Sequence, residues 1–253
     1  MQPRGLNDGC YRGDRIDIES VLADCLAAAE AHGWTAHWLE TENDLRLLTL
    51  HRAPENIRRR VYLSSGIHGD EPAAPLAMLR LLQANTWPQD TELWLCPCLN
   101  PTGFPRNTRE SAAGNDLNRD YKHLRTPEIA THVAWLNTLP DFHFTIQLHE
   151  DWEAQGFYFY ELKMDGTITE PRRVLEAVES VCPIDHSLEI DGRKNDRGLI
   201  KPELDPAVRE LWPEAFWLVM NKARLSYTCE APSDFEMDVR VGALVTATRT
   251  LLR

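Results

Sequence analysis

The stretch SSGIHGDEPA, residues 64–73, places a histidine and a glutamate three positions apart in a short polar turn. Apolar residues before it predict a strand over 59–67, and those after it predict a buried helix over 73–84. His68 and Glu71 therefore follow a strand end, where an HxxE turn can bring an imidazole nitrogen and a carboxylate to one ion. The rest of the sequence decides whether this turn is a polar connection or half of a metal site.

Strand and helix patterns alternate along the whole chain. They predict a helix at 16–33, a hairpin with strands at 34–40 and 44–52 and a turn at 41–43, a strand at 92–100, a helix at 127–139, strands at 142–150 and 156–162, a helix at 169–182, a strand at 225–231 and a helix at 234–253. Segments 101–123 and 185–213 have the composition of long loops. We therefore expect a single domain over residues 1–253, an α/β/α sandwich with helices on both faces of a mixed central sheet.

Composition narrows the class of protein. The 253 residues are 43% hydrophobic and carry a net charge of -12. This acidity argues against a nucleic-acid-binding surface, which needs clustered lysine and arginine. No segment approaches the roughly 20 apolar residues of a membrane span, and the N-terminal region lacks the apolar stretch of a signal peptide. The cysteines lack CxxC spacing, and we expect them to be reduced thiols in a cytoplasmic protein. From the charge and the lack of long apolar segments, we expect no binding to nucleic acid or membrane.

Two further chemically competent side chains end predicted strands. His149 ends the strand at 142–150, and Glu230 ends the strand at 225–231. Ligand sites in such sheets lie beyond the carboxyl ends of the strands, so both residues can meet the HxxE turn at one edge. Catalytic zinc commonly takes three protein ligands and a water. Each residue alone is more simply a satisfied histidine or a solvated carboxylate, and their co-occurrence favours a shared site.

Four segments together resemble the M14 family of zinc metallocarboxypeptidases. They are GIHGDEPA, NPTGFPRNTRESAAGNDLNRDY, TIQLHE and YTCEAP, in this order, over roughly residues 60–235. The part GNDLNRDY is the most specific, because it is long and lies at the expected distance from an upstream arginine. The resemblance implies a zinc-carboxypeptidase-like fold. IHGDEPAAP is also similar to the HGNE turn of a related branch, the succinylglutamate desuccinylases and aspartoacylases.

The resemblance implies a role for each matching residue. It implies that one zinc ion is bound by His68, Glu71 and His149. Arg109 would stabilise the oxyanion of the tetrahedral intermediate, and its distance from Arg119 favours it over Arg106. Asn118 and Arg119 would hold a substrate carboxylate, for which the planar guanidinium is well suited. Glu230 would activate the attacking water and pass its proton to the leaving amine.

Some positions depart from the family or stay open. Thr102 stands where the family more often has Asp, and we expect this position to shape the turn. Digestive members use a mobile tyrosine from a loop before the final Glu, and Tyr227, within a predicted strand, is a poor match. In the second long loop, the basic side chains could meet an acidic substrate group or simply be solvated; they are Arg193, Lys194 and Arg197.

These inferences predict a zinc-dependent hydrolase that cleaves an amide bond adjacent to a free carboxylate. The GNDLNR segment and the Thr-x-Glu strand end favour a metallocarboxypeptidase or peptide amidase acting on small peptides. An N-acyl amino acid deacylase, like succinylglutamate desuccinylase or aspartoacylase, uses the same chemistry and is the alternative. A non-catalytic peptide-binding protein on the same fold is a second alternative, which predicts loss of Glu230 or of a metal ligand. Both are present.

Overall fold

The computed structural model describes residues 2–7, 11, 13–42, 44–164, 166–205 and 208–253. Within them lie the strands β1 Thr35–Glu40, β2 Arg46–Arg52, β3 Arg59–Ser65, β4 Thr91–Cys96, β5 Phe144–Asp151, β6 Tyr158–Lys163, β7 Glu189–Ile190, β8 Arg193–Lys194, β9 Leu199–Ile200 and β10 Leu225–Pro232. The α-helices are α1 Ile18–Ala31, α2 Ala73–Ala84, α3 Pro127–Thr138, α4 Pro171–Glu179, α5 Glu214–Asn221 and α6 Met237–Leu252.

One mixed sheet of eight strands organises the molecule. Its order is β1-β2-β4-β3-β5-β10-β6-β9. The neighbours β4, β3, β5 and β10 are parallel, whereas β2 and β6 pair antiparallel with β4 and β10. The carboxyl ends of the four parallel strands therefore meet at one edge, where ligand sites form in sheets of this kind.

Helices cover both faces of this sheet because alternate strand residues point to opposite sides. Val61 and Leu63 of β3 belong to the larger hydrophobic core, which also contains buried residues of α1, α2, α4 and α6. Tyr62 belongs to a second core, with buried residues of α3 and α5. The predicted α/β/α sandwich with a mixed central sheet is confirmed.

The predicted elements agree with the observed ones apart from the region before β10. Helix α5, EAFWLVMN, is not among the predicted elements, because its apolar run after Pro213 is too short to separate a helix from a strand. The predicted loop at 185–213 contains the short strands β7, β8 and β9. Part of the predicted turn at 41–43 falls on Asn43, which lies outside the described residues.

Two sequence expectations concern the environment of the chain. In the part that the structure describes, no helix combines the length and apolarity needed to cross a bilayer. The cysteines Cys25, Cys96, Cys98, Cys182 and Cys229 are free and buried, as expected for reduced thiols. Cys10 lies outside the described residues, and the cytoplasmic location stays a prediction.

Candidate metal centre and active site

The turn between β3 and α2 packs directly on the loop that follows β4. A Cβ added to Gly69 would lie 2.5 Å from the Cα of Gly103, so only glycine fits this approach without a shift of the backbone. The Asn100 side chain fastens the same contact, because its Nδ2 donates to the carbonyls of Ile67 at 3.2 Å and Arg109 at 3.3 Å. The HxxE turn and the loop at 101–123 are therefore held as one unit.

Three metal-competent side chains converge at the carboxyl edge of the sheet. His68, Glu71 and His149 are buried, and one potential ligand atom from each lies within 4.8 Å of the others. The Nδ1 of His68 contacts Oε1 of Glu71, and the Nδ1 of His149 lies 3.0 Å from Oε2 of Glu71. The turn and the distant strand β5 thus meet as the sequence predicts.

The donor set of this cluster fits a divalent metal ion. The close approach of His149 to Glu71 is not a hydrogen bond, since Oε2 of Glu71 is buried and lacks a hydrogen-bond partner within the described chain. An unsatisfied buried carboxylate oxygen is costly, and a cation would compensate it. Two imidazole nitrogens and one carboxylate are the ligands of one class of catalytic zinc site. Among the described residues the cluster offers three ligands, the number that a catalytic zinc site commonly takes from the protein.

Asp116 lies behind this cluster and was missed in the sequence. Its Oδ1 is 3.5 Å from the Nε2 of His68, while its Oδ2 accepts a hydrogen bond of 2.9 Å from the Nε of Arg109. Oδ1 also accepts from the backbone N–H of Asn118 at 2.9 Å. Burial raises the pKa of Asp116, but His68 and the neighbouring arginines outweigh it and hold the pKa well below its usual range. Nε2 of His68 has no hydrogen bond within the described residues, so Asp116 acts on the ring through its charge. A carboxylate behind a ligating histidine raises the basicity of the ring.

Glu230 lies beside the cluster. It is directly opposite His149 in the register of β10 with β5, so both side chains point to the same face of the sheet. Its carboxylate is buried. Burial raises the pKa of Glu230 well above its usual range; the positive charge of His149 opposes this, and the negative charge of Glu71 adds to it. A carboxyl group whose pKa is raised in this way is better suited to exchange a proton with a substrate than an exposed carboxylate.

The predicted substrate-binding residues surround a cavity of about 810 Å³ that also contains the metal cluster and Glu230. Arg109, Asn118 and Arg119 line it. Arg109 lies close to the cluster, with its Nη1 3.4 Å from the Nδ1 of His68. Arg106 points elsewhere, to the carbonyl of Ala112 at 3.1 Å. The choice of Arg109 over Arg106 therefore agrees with the geometry.

The orientation of the Asn118 amide follows from α5. Its Oδ1 accepts a hydrogen bond of 2.9 Å from the backbone N–H of Glu214, at the first turn of that helix. The two N–H donors of the amide are consequently the groups available to the cavity. Asn118 and the guanidinium of Arg119 together offer the donors that a carboxylate accepts.

The structure shows where the residues lie whose roles the sequence left open. Thr102 hydrogen-bonds the Asn100 side chain and accepts from the N–H of Ala112, so it shapes the turn. Tyr227 faces the core on the other side of the sheet, which excludes it as the mobile tyrosine. Of the three basic residues considered in the loop at 185–213, Arg193 alone lines the cavity, and it forms an ion pair with Asp191.

Comparisons with known proteins agree with this geometry. Residues 57–159 match the model of the succinylglutamate desuccinylase/aspartoacylase catalytic domain. Carboxypeptidase SOL1 of Arabidopsis thaliana is 32% identical over 100 residues, a match that covers 31% of this chain and only 20% of that protein. The family match includes the three cluster residues, and Glu230 lies beyond its end.

Solved structures extend the similarity to most of the chain. A candidate metallopeptidase from Shewanella amazonensis superposes with a TM-score of 0.79 at 22% identity, over 92% of this chain and 91% of that one. A metallo-carboxypeptidase from Pseudomonas aeruginosa, solved with (2-guanidinoethylmercapto)succinic acid, gives a TM-score of 0.66 at 18% identity, over 92% and 69%. These likenesses establish the fold.

The family match over residues 57–159 supports a hydrolase, on a fold shared with metallocarboxypeptidases. The resemblance predicted from the sequence is supported: residues 57–159 match the succinylglutamate desuccinylase/aspartoacylase catalytic domain, and the solved structures share the metallocarboxypeptidase fold.

Proposed function

We propose that residues 1–253 act as a single catalytic domain, a zinc-dependent hydrolase that cleaves an amide bond next to a free carboxylate. The observation that carries this proposal is the convergence of three ligand atoms within 4.8 Å, inside a cavity that also holds Glu230 and Arg119. A metallocarboxypeptidase or peptide amidase is the form favoured here. Its substrates are small peptides with a free C-terminus.

His68, Glu71 and His149 would hold one zinc ion. When bound, zinc lowers the pKa of a coordinated water to about 7 and polarises a carbonyl group. The negative charge of Asp116 supports the His68 ring from behind. This donor set and the unsatisfied oxygen of Glu71 support the assignment.

The protein side chains divide the remaining work. Glu230, with its raised pKa, accepts a proton from the attacking water and donates it to the leaving amine. Arg109 donates to the oxygen on which negative charge develops, a contribution typically of about 3 kcal/mol. Asn118 and Arg119 bind the substrate carboxylate and so place the scissile bond between Arg109 and Glu230.

The deacylase alternative has its own support in the family match over residues 57–159. An N-acyl amino acid also carries an amide bond next to a free carboxylate, so the same side chains serve both substrates. The two functions differ only in what occupies the far side of the scissile bond.

A substrate panel tests the proposal. The zinc-loaded protein is incubated with C-terminal dipeptides, γ-glutamyl peptides, N-acyl amino acids and their carboxamide counterparts. We expect hydrolysis of at least one class of substrate with a free carboxylate, and inhibition of this hydrolysis by a zinc chelator. The counterparts in which a carboxamide replaces the free carboxylate should be turned over poorly. Glu230→Gln should keep zinc but lose turnover by about 10²–10⁴-fold, whereas Glu179→Gln, exposed at the end of α4, should behave like the wild type. Chelator-resistant hydrolysis, or full activity of Glu230→Gln, would contradict the proposal.

A further inference from the structure

A fully buried arginine lies behind the metal cluster. Arg240 of α6 has no exposed side-chain surface. Its Nη1 donates to Oε2 of Glu150 at 2.7 Å, and its Nη2 donates to Oδ2 of Asp14 at 2.7 Å. Nη1 also donates to the hydroxyl oxygen of Tyr11 at 3.2 Å. Two carboxylates and a phenol thus engage both terminal nitrogens of a guanidinium that burial would otherwise make very costly, while its Nε has no hydrogen-bond partner among the described residues.

Glu150 connects this arginine to both ligand-bearing segments. It directly follows His149 at the end of β5, and its side chain is as buried as that of Arg240. Its second oxygen, Oε1, accepts a hydrogen bond from the backbone N–H of Ala73, the first residue of α2. Ala73 is two residues after Glu71. One carboxylate therefore joins the strand that carries one ligand to the turn that carries the other two.

The same network reaches the cavity from the N-terminal side. Asp14 pairs with Arg4 at 2.7 Å as well as with Arg240. The hydroxyl of Tyr11 donates to the carbonyl of Asp14 at 3.0 Å, and Tyr11 lines the cavity. The N-terminal segment is therefore tied, through one side chain of α6, to the wall of the metal site.

A contribution to stability alone would not explain this placement. Buried ion pairs are often no more stabilising than apolar residues of the same volume, because desolvation offsets the attraction between the charges. Their better-attested benefit is to fix one arrangement of the groups around them. Here the arrangement that is fixed is the position of the β5 end relative to the HxxE turn.

We propose that Arg240 is a positioning residue of the metal centre, acting through Glu150 to hold His149 against Glu71. The proposal rests on the proposed function, in that it takes the three-residue cluster as the zinc site. Arg240 touches neither the metal ligands nor the cavity directly, so its effect is on metal affinity and coordination geometry. Groups behind a metal site typically contribute about 10–100-fold to affinity.

The experiment measures zinc affinity of the metal-free protein by competition with a chelating indicator, alongside its free energy of unfolding. Arg240→Met removes the charge at similar volume, and we expect zinc affinity about 10–100-fold weaker. Arg240→Lys keeps the charge but replaces the planar fork of the guanidinium with one compact ammonium group, so its zinc affinity should fall between those of Arg240→Met and the wild type. The control is Val241→Ala, a buried apolar neighbour on α6 that should lower stability but leave zinc affinity within about threefold.

A spectroscopic readout separates position from stability. The visible absorption spectrum of the Co²⁺-substituted protein reports coordination geometry, and it should change in Glu150→Gln and Arg240→Met but not in Val241→Ala. If Arg240→Met does not fold, Arg240→Lys and Glu150→Gln carry the test. Wild-type zinc affinity and spectrum in all three network variants would overturn the proposal, as would an equal loss in Val241→Ala. A wild-type protein that binds no zinc would instead refute the proposed function, and this inference with it.

Discussion

Replacing Asp116 by asparagine perturbs three parts of the site through one atom change. The carboxylate lies 3.5 Å from Nε2 of His68, accepts from Arg109 at 2.9 Å and accepts from the N–H of Asn118 at 2.9 Å. Asparagine can keep its carbonyl oxygen on Asn118. Its NH₂ group then faces the Nε of Arg109, donor against donor, and the negative charge near His68 is gone.

The size of the effect follows from these contacts. Loss of a carboxylate behind a ligating histidine weakens metal binding by about 10–100-fold, or about 1.4–2.7 kcal/mol. Arg109 stays in the chain but loses its anchor, and it is more than a third exposed. At saturating zinc we therefore expect kcat to fall by about 10–100-fold. This is a smaller loss than removal of an oxyanion donor typically causes, which is about 10²–10³-fold.

Two assays separate these effects. Competition with a chelating indicator gives zinc affinity, and kcat is measured at saturating zinc on the best substrate of the panel. Glu110→Gln is the matched control, because it makes the same charge change in the same loop without any of these contacts. The reasoning fails if Asp116→Asn binds zinc within about threefold of the wild type and turns over at an unchanged kcat.

Three further perturbations test separate parts of the account. Arg119→Ala should raise KM for free-carboxylate substrates by about 10–100-fold, because a hydrogen bond to a charged group is worth about 1.5–3 kcal/mol; an undiminished preference for free over amidated C-termini would exclude this role. Burial raises the pKa of Glu214 to about 7, so between its ordinary value of 4.5 and pH 7 the native state keeps a proton that the unfolded chain releases. The metal-free protein should then lose about 3 kcal/mol of unfolding free energy over that range from this group, and Glu214→Gln should flatten the profile measured by urea denaturation at pH 5 and 8; identical profiles would refute the assignment. Gly69→Ala should lower stability by about 1–3 kcal/mol through its contact with the backbone of Gly103, whereas Gly242→Ala, with open space around it in α6, should be neutral or stabilising; equal effects in thermal melts would contradict the packing argument.

Residues at strand ends could be predicted because a local signal and a general rule coincide there. His149 and Glu230 each end an apolar strand, and parallel strands bring their carboxyl ends to one edge. The pattern therefore indicated which side chains meet before any distance was known. The register that sets Glu230 opposite His149 is a tertiary property and needed the structure.

The missed residues act through contacts that have no local signature. Asp116 lies within the GNDLNR segment, but its contact with His68 spans 48 positions of the chain and depends on how the loop folds back. Arg240 resembles any other basic residue of a C-terminal helix until its burial is known. Helix α5 is short, so its apolar run fits a strand as well as a helix.

The central claim is that His68, Glu71 and His149 bind a single zinc ion. Anomalous X-ray diffraction from crystals of the zinc-loaded protein, measured on both sides of the zinc absorption edge, tests it most directly. The account predicts one zinc peak per chain, about 2.0–2.2 Å from an imidazole nitrogen of each histidine and a carboxylate oxygen of Glu71. An anomalous zinc peak away from these three residues, or no peak in crystals of the zinc-loaded protein, would contradict it.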